Sequence, residues 1–103
     1  MIYEFCAENV TLLEKAMQAG ARRIELCDNL AVGGTTPSYG VTKAAVELAA
    51  NYDTTIMTMI RPRGGDFVYN DLEIDIMLED IRLTAHAGSQ GVVFGVLTAD
   101  KKL

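Results

Sequence analysis

Short strand-like apolar runs alternate along this chain with longer segments whose apolar residues recur at helical spacing. That alternation is the mark of successive βα units built around a parallel sheet. Three full units and a fourth strand are predicted. The first strand covers residues 2–6, and a helix follows over 10–19, with Val10, Leu13, Ala16 and Met17 on one face. Asn9 stands where an N-cap belongs and Gly20 where a helix stops. The second strand, 23–27, leads into a glycine- and threonine-rich loop over 30–38, and Pro37 and Ser38 mark the start of a helix over 41–51. The third strand, 54–60, is followed by a loop over 61–69 and a helix over 71–87. Asn70 and Glu73 form a capping-box pattern there, and Ile74, Met77, Leu78, Ile81 and Ala85 make the stripe expected to be buried. A fourth strand over 91–96 and a loop over 97–103 complete the pattern.

The pattern predicts an α/β fold, a TIM-type (β/α)8 barrel of which these residues supply about the first three and a half units. Residues 1–103 then read as the N-terminal half of a single barrel domain. An open sheet of this kind leaves unpaired strand edges, which compact proteins cover. The expected cover is the C-terminal half of the barrel or another copy of the chain, as a homo-oligomer.

Composition narrows the function. Half of the 103 residues are hydrophobic and 22% are charged, the balance of a chain that builds a core. The net charge of −5 is spread out, with no basic run that would track nucleic acid or dock on anionic lipid. No apolar window approaches the roughly 20 residues of a membrane span, and residues 1–6 do not resemble a secretory leader. A cytoplasmic location is expected. In a reducing compartment the two cysteines, Cys6 and Cys27, are expected as free thiols.

Side chains alternate along a strand, so parity separates the two faces of the sheet. Tyr3 and Phe5 oppose Glu4 and Cys6; Ile24 and Leu26 oppose Glu25 and Cys27; Ile56, Thr58 and Ile60 oppose Met57, Met59 and Arg61. The bulky apolar set should pack on helices. The other set should then face the barrel axis, with Cys6, Cys27 and Arg61 nearest its mouth. Charges enclosed there must be paired or bound to something, and a Glu–Arg network with methionine filler would satisfy that as well as a ligand would.

Two loops carry further chemistry. Arg61-Pro62-Arg63-Gly64-Gly65-Asp66-Phe67 and Gly33-Gly34-Thr35-Thr36-Pro37-Ser38 combine glycine pairs with planar guanidinium forks, hydroxyls and a helix N-terminus. Arg61, Arg63, Gly64, Gly65, Asp66, Thr36 and Ser38 outline a site for a small anionic ligand. The same glycines also suit tight turns, and the arginines could pair with Asp66 or Glu25. His86, the one histidine, reads as a surface or C-capping residue, and no Ser–His–Asp arrangement is available.

The string from Ile60 to Phe67, with Arg23-Ile24-Glu25-Leu26-Cys27, the Gly33–Ser38 segment and GVVFGVL over 91–97, resembles the CutC copper-homeostasis family in order and spacing. The resemblance implies a cytoplasmic TIM barrel with a role in copper handling. It also implies that Cys6 and Cys27, at the matching strand ends, are copper ligands. Soft thiolates and thioethers are what Cu(I) prefers, and two methionines share the cysteines' parity, although buried cysteines often serve only as small hydrophobes. The expected partner is therefore a copper ion, Cu(I). An alternative is a barrel enzyme acting on a small anionic or hydroxylated metabolite, with Glu4 and Glu25 as acid/base groups and Arg61 and Arg63 as a clamp. A third option is a chain without activity that associates through its sheet edges.

Overall fold

In the computed structural model, residues 4–95 are described. They form a four-stranded parallel sheet in the order β1 (Glu4–Glu8), β2 (Arg23–Cys27), β3 (Thr55–Met59), β4 (Gly91–Val93), joined by helices α1 (Leu13–Gln18), α2 (Tyr39–Ala49) and α3 (Asp71–His86). Strand order follows chain order without reversal. A doubly wound sheet reverses its order and carries helices on both faces, whereas a barrel keeps its order and its helices on one side.

The core lies between the helices and one sheet face, where Ala7, Ile24, Leu26 and Ile56 pack against Leu13, Met17, Ala45 and Ala49. Thr58 is also fully buried on that face, and its hydroxyl is satisfied by Ser89 at 2.9 Å. Glu4, Cys6, Glu8, Glu25, Met57 and Met59 fall on the opposite parity and are exposed or half-buried. Side-chain alternation therefore sorts the strands as the sequence predicts.

Boundaries differ in places. β1 runs on to Glu8, and the amide of Asn9 still donates to Cys27 O at 2.8 Å. Asn9 thus extends the sheet ladder and does not cap α1. It takes a left-handed φ of 58°, its Oδ1 accepts from Val10 N, and the helix starts only at Leu13. Val10, expected on the buried face, is 51% exposed. α2 begins at Tyr39, two residues before its expected start, because Ser38 Oγ caps it by accepting from Val41 N.

α3 carries the expected capping box, with Asn70 Oδ1 accepting from Glu73 N and Glu73 accepting from Asn70 N. Its buried line, however, is Met77 and Thr84. Ile74, Leu78 and Ile81 instead line an apolar groove with Phe94, and Leu78 is 60% exposed. Met77 of the predicted stripe is buried, while Ile74 and Ile81 are half-buried and Leu78 and Ala85 exposed on the flank. Residues 2 and 3 of the first predicted strand, Val96 of the fourth, and the loop over 97–103 lie outside the described residues.

The sulfur-bearing face and its rim loops

Strand register places the candidate side chains on the open face. Cys6 lies beside Glu25, Glu25 beside Met57, and Met57 beside Gly91. One step toward the carboxyl ends, Glu8 lies beside Cys27, and Met59 beside Val93. One step the other way, Glu4 lies beside Arg23 and forms an ion pair with it at 2.9 Å. A cavity of about 200 Å³ opens against Glu4, Cys6, Arg23, Glu25 and Met57.

Cys6 and Cys27 are therefore diagonal neighbours, not opposite ones. Strand geometry separates their Cα atoms by about 4.8 Å across and about 6.6 Å along, roughly 8 Å in all. That exceeds the reach of a disulfide, and both thiols are free. Cys6 is exposed; Cys27 is only 1% exposed and its Sγ donates to Ala7 O at 3.6 Å, leaning toward β1. Desolvation pushes the Cys6 thiol up from its ordinary value, and the charges of Glu25 and Glu4 add to the effect. Cys27 is raised by burial first, then by Cys6, Glu25, Glu8 and Asp28. Both sulfurs thus hold their protons near neutral pH, and a metal that took them would have to displace those protons.

In the rim loops both arginines are engaged by backbone carbonyls. Arg61 is 8% exposed and its guanidinium is turned into the loops: Nη1 donates to Val32 O at 2.7 Å and Gly34 O at 3.0 Å, and Nη2 to Gly65 O at 2.8 Å. The Phe67 ring lies 4.9 Å from its centre of charge, and its backbone N–H donates to Thr36 Oγ1. Arg61 therefore ties the loop after β2 to the loop after β3. It pairs with neither Glu4 nor Glu25. Carbonyl oxygens that would otherwise be buried without donors attract the fork more effectively than a distant carboxylate does.

Arg63 is held just as fully by its own loop. It donates to Glu73 and to the carbonyls of Gly64, Asp66 and Val68, meets the Asp66 carboxylate at 3.3 Å, and stacks over Tyr69. Gly65 supplies a positive φ of 88° for the turn, Gly64 packs against Val32, and Asp66 Oδ1 accepts from Val68 N. Ser38 is occupied as the cap of α2. These residues build the rim. His86 stacks on Tyr39 at 6.4 Å, at the end of α3. No group of three or more His, Cys, Asp and Glu side chains among the described residues stands ready to hold a metal ion.

Glu73 gives the rim a pH dependence. The Arg63 hydrogen bond first, and the Asn70 N–H second, hold its carboxyl below the usual carboxylate value. A depressed folded value stabilises the fold at pH above the unfolded value of about 4.3, and this contribution is lost as pH falls through the lower folded value. The stability gap between the natural chain and Glu73→Gln should be larger at neutral pH than at an acid pH below the unfolded value of about 4.3. Urea unfolding at both pH values measures it, and an unchanged gap would mean that the pair contributes nothing.

The CutC family model matches residues 1–103, the whole chain. The chain belongs to the CutC family. It is 58% identical over 103 residues to a family protein CutC from Streptococcus pyogenes serotype M6, covering all of this chain and 49% of that one. It is 56% identical over 100 residues to one from Enterococcus faecalis, covering 97% and 48% respectively. Among solved structures it is similar to the putative copper homeostasis protein CutC of Streptococcus agalactiae, with a TM-score of 0.92 and 53% identity over 97% of this chain and 48% of that one. The chain thus spans about half the length of these CutC relatives, and its βα units are part of a TIM-type barrel. Among the described residues no helix is long and apolar enough to cross a membrane.

Sequence reasoning missed two features of this CutC chain. Glu8 stands beside Cys27 because β1 is longer than its alternation suggests. Each methionine of the open face rests on a glycine, Met57 on Gly91 and Met59 on Gly34. The glycines were visible as loop and strand residues, but their partners lie 25 or more positions away.

Proposed function

We propose that this chain is the N-terminal half of a cytosolic copper-handling barrel and that it binds Cu(I) as cargo through Cys6 and Cys27. The observation that carries this reading is the gathering of two free thiols and two thioethers, from three consecutive strands, on the sheet face that no helix among the described residues covers. The donor set fits the ion. Thiolate and thioether sulfur favours Cu(I), and monovalent copper is satisfied by few ligands, so two cysteines suffice where no group of three or more His, Cys, Asp and Glu among the described residues is arranged to hold a metal.

The chain's own residues perform three tasks in this scheme. Exposed Cys6 offers the first sulfur to an incoming ion, and Cys27, leaning toward β1, offers the second from beneath. Glu4, Glu8 and Glu25 surround the pair and make the approach favourable to cations. Each thiol gives up its proton to solvent as the metal–sulfur bond forms, so uptake releases protons. The second half of the barrel, from the same polypeptide or a partner copy, would close the face and exclude water.

Copper is favoured over a metabolite because the clamp that an enzyme would need is otherwise engaged, Arg61 with three carbonyls and Arg63 with Glu73. The test is a competition titration against a Cu(I) chelator. The Cys6→Ser/Cys27→Ser chain should lose tight binding, and an affinity equal to that of the natural chain would end the proposal.

A further inference from the structure

Two methionines share the open face, and the structure treats them differently. Met57 is in the Cys6–Glu25 row, and its side chain leans toward β4, away from both cysteines: a Cβ placed on Gly91 of β4 would meet Met57 Sδ at 2.9 Å and Cε at 2.6 Å. Met59 leans the other way. A Cβ placed on Gly34 would lie 2.7 Å from Met59 Sδ and 3.4 Å from Cys27 Cβ, so the Met59 sulfur rests over the same glycine that the base of the Cys27 side chain touches.

Register agrees. Leu26 pairs with Thr58, and one residue further along the two parallel strands Cys27 stands beside Met59, about 4.8 Å away at Cα. That is closer than the diagonal from Cys27 to Cys6. Met59 also lines a cavity of about 160 Å³ at the rim, together with Gly33, Arg61, Phe67 and Val93. Gly34 is held in place by its own carbonyl, which accepts from Arg61, and by its N–H, which donates to Asn29 O.

From this we infer that Met59 is a third sulfur ligand, completing a Cys6–Cys27–Met59 site on β1, β2 and β3 with Gly34 as the seat that makes room for it. The inference rests on the two-cysteine reading and adds to it a ligand and a selectivity. A thioether brings no charge, so it completes the coordination without adding to the negative field of Glu8, Glu25 and Asp28. Being soft, it favours Cu(I) over Zn(II), which takes imidazole and carboxylate readily.

The test labels the full chain with selenomethionine, loads it anaerobically with Cu(I), and records copper-edge X-ray absorption. A copper–selenium vector is expected, absent in Met59→Leu and retained in Met57→Leu, with circular dichroism confirming that both variants keep their helix content. Met59→Leu should also narrow the preference for Cu(I) over Zn(II) in competition. If Cu(I) binds in a cysteine-dependent way but no selenium is seen, or the selenium signal survives Met59→Leu, the third ligand is wrong and the two-cysteine site stands. If Cu(I) does not bind the natural chain, or binds without the cysteines, both fall.

Discussion

Arg61→Ala should lower the unfolding free energy by about 3–5 kcal/mol, one of the largest effects any single substitution in this chain can have. The guanidinium donates three hydrogen bonds to backbone carbonyls of two separate loops, and alanine leaves Val32, Gly34 and Gly65 without those donors in a site where Arg61 itself was 8% exposed. Each charge-assisted bond contributes about 1.5–3 kcal/mol net, and losses within one network fall short of their sum. Arg61→Lys should recover only part of the loss, since one ammonium on a flexible stem cannot span both loops in a plane. Urea unfolding measures both, and a loss under about 1 kcal/mol for alanine would show that the loops hold together without the staple. Because Gly34 is one of the stapled residues, the same variant should expose the Cys27 thiol to a thiol-specific reagent that reaches mainly Cys6 in the natural chain.

Ile56→Ala should cost about 2–5 kcal/mol, and Leu78→Ala less than about 1 kcal/mol. Ile56 is 0% exposed at the centre of the sheet, facing Ala45, Ala49 and Ile24, and truncation there leaves a cavity that flanking strands cannot close. Leu78 lies in the apolar groove on the flank of α3 and already keeps much of its side chain in water. Since natural domains are stable by only about 5–15 kcal/mol, the first variant should shift the urea midpoint visibly and the second barely. Equal costs would mean that Leu78 is as fully packed as Ile56 and that the flank of α3 is not an open groove.

Much of the candidate site was legible because alternation is local and strict. Once Ile24, Leu26, Ile56 and Ile60 claim the helix-packed face, Glu25, Met57 and Met59 must take the other, whatever the rest of the chain does. Alternation did not reveal what Arg61 would bind. A long flexible side chain at a strand end has no face imposed on it, and its direction depends on which acceptors two distant loops bring within reach. Asn9 failed for a related reason: its cap-like position suited a helix start, but pairing with Cys27 extended β1 and moved that start to Leu13. The capping box at Asn70 and the Ser38 cap were readable because donor and acceptor lie within one turn of each other.

By itself, then, the amino-acid sequence determined the βα alternation, the parity that gathers acidic and sulfur side chains, and the helix caps set by neighbours three residues apart. Tertiary structure alone decided the diagonal offset of Cys6 and Cys27, the seating of Met59 on Gly34, and the three carbonyls that the Arg61 guanidinium ties together. Periodicity and capping are properties of a few adjacent peptide units, whereas register and side-chain direction are settled by which residues remote in the chain meet and which buried polar groups they must satisfy.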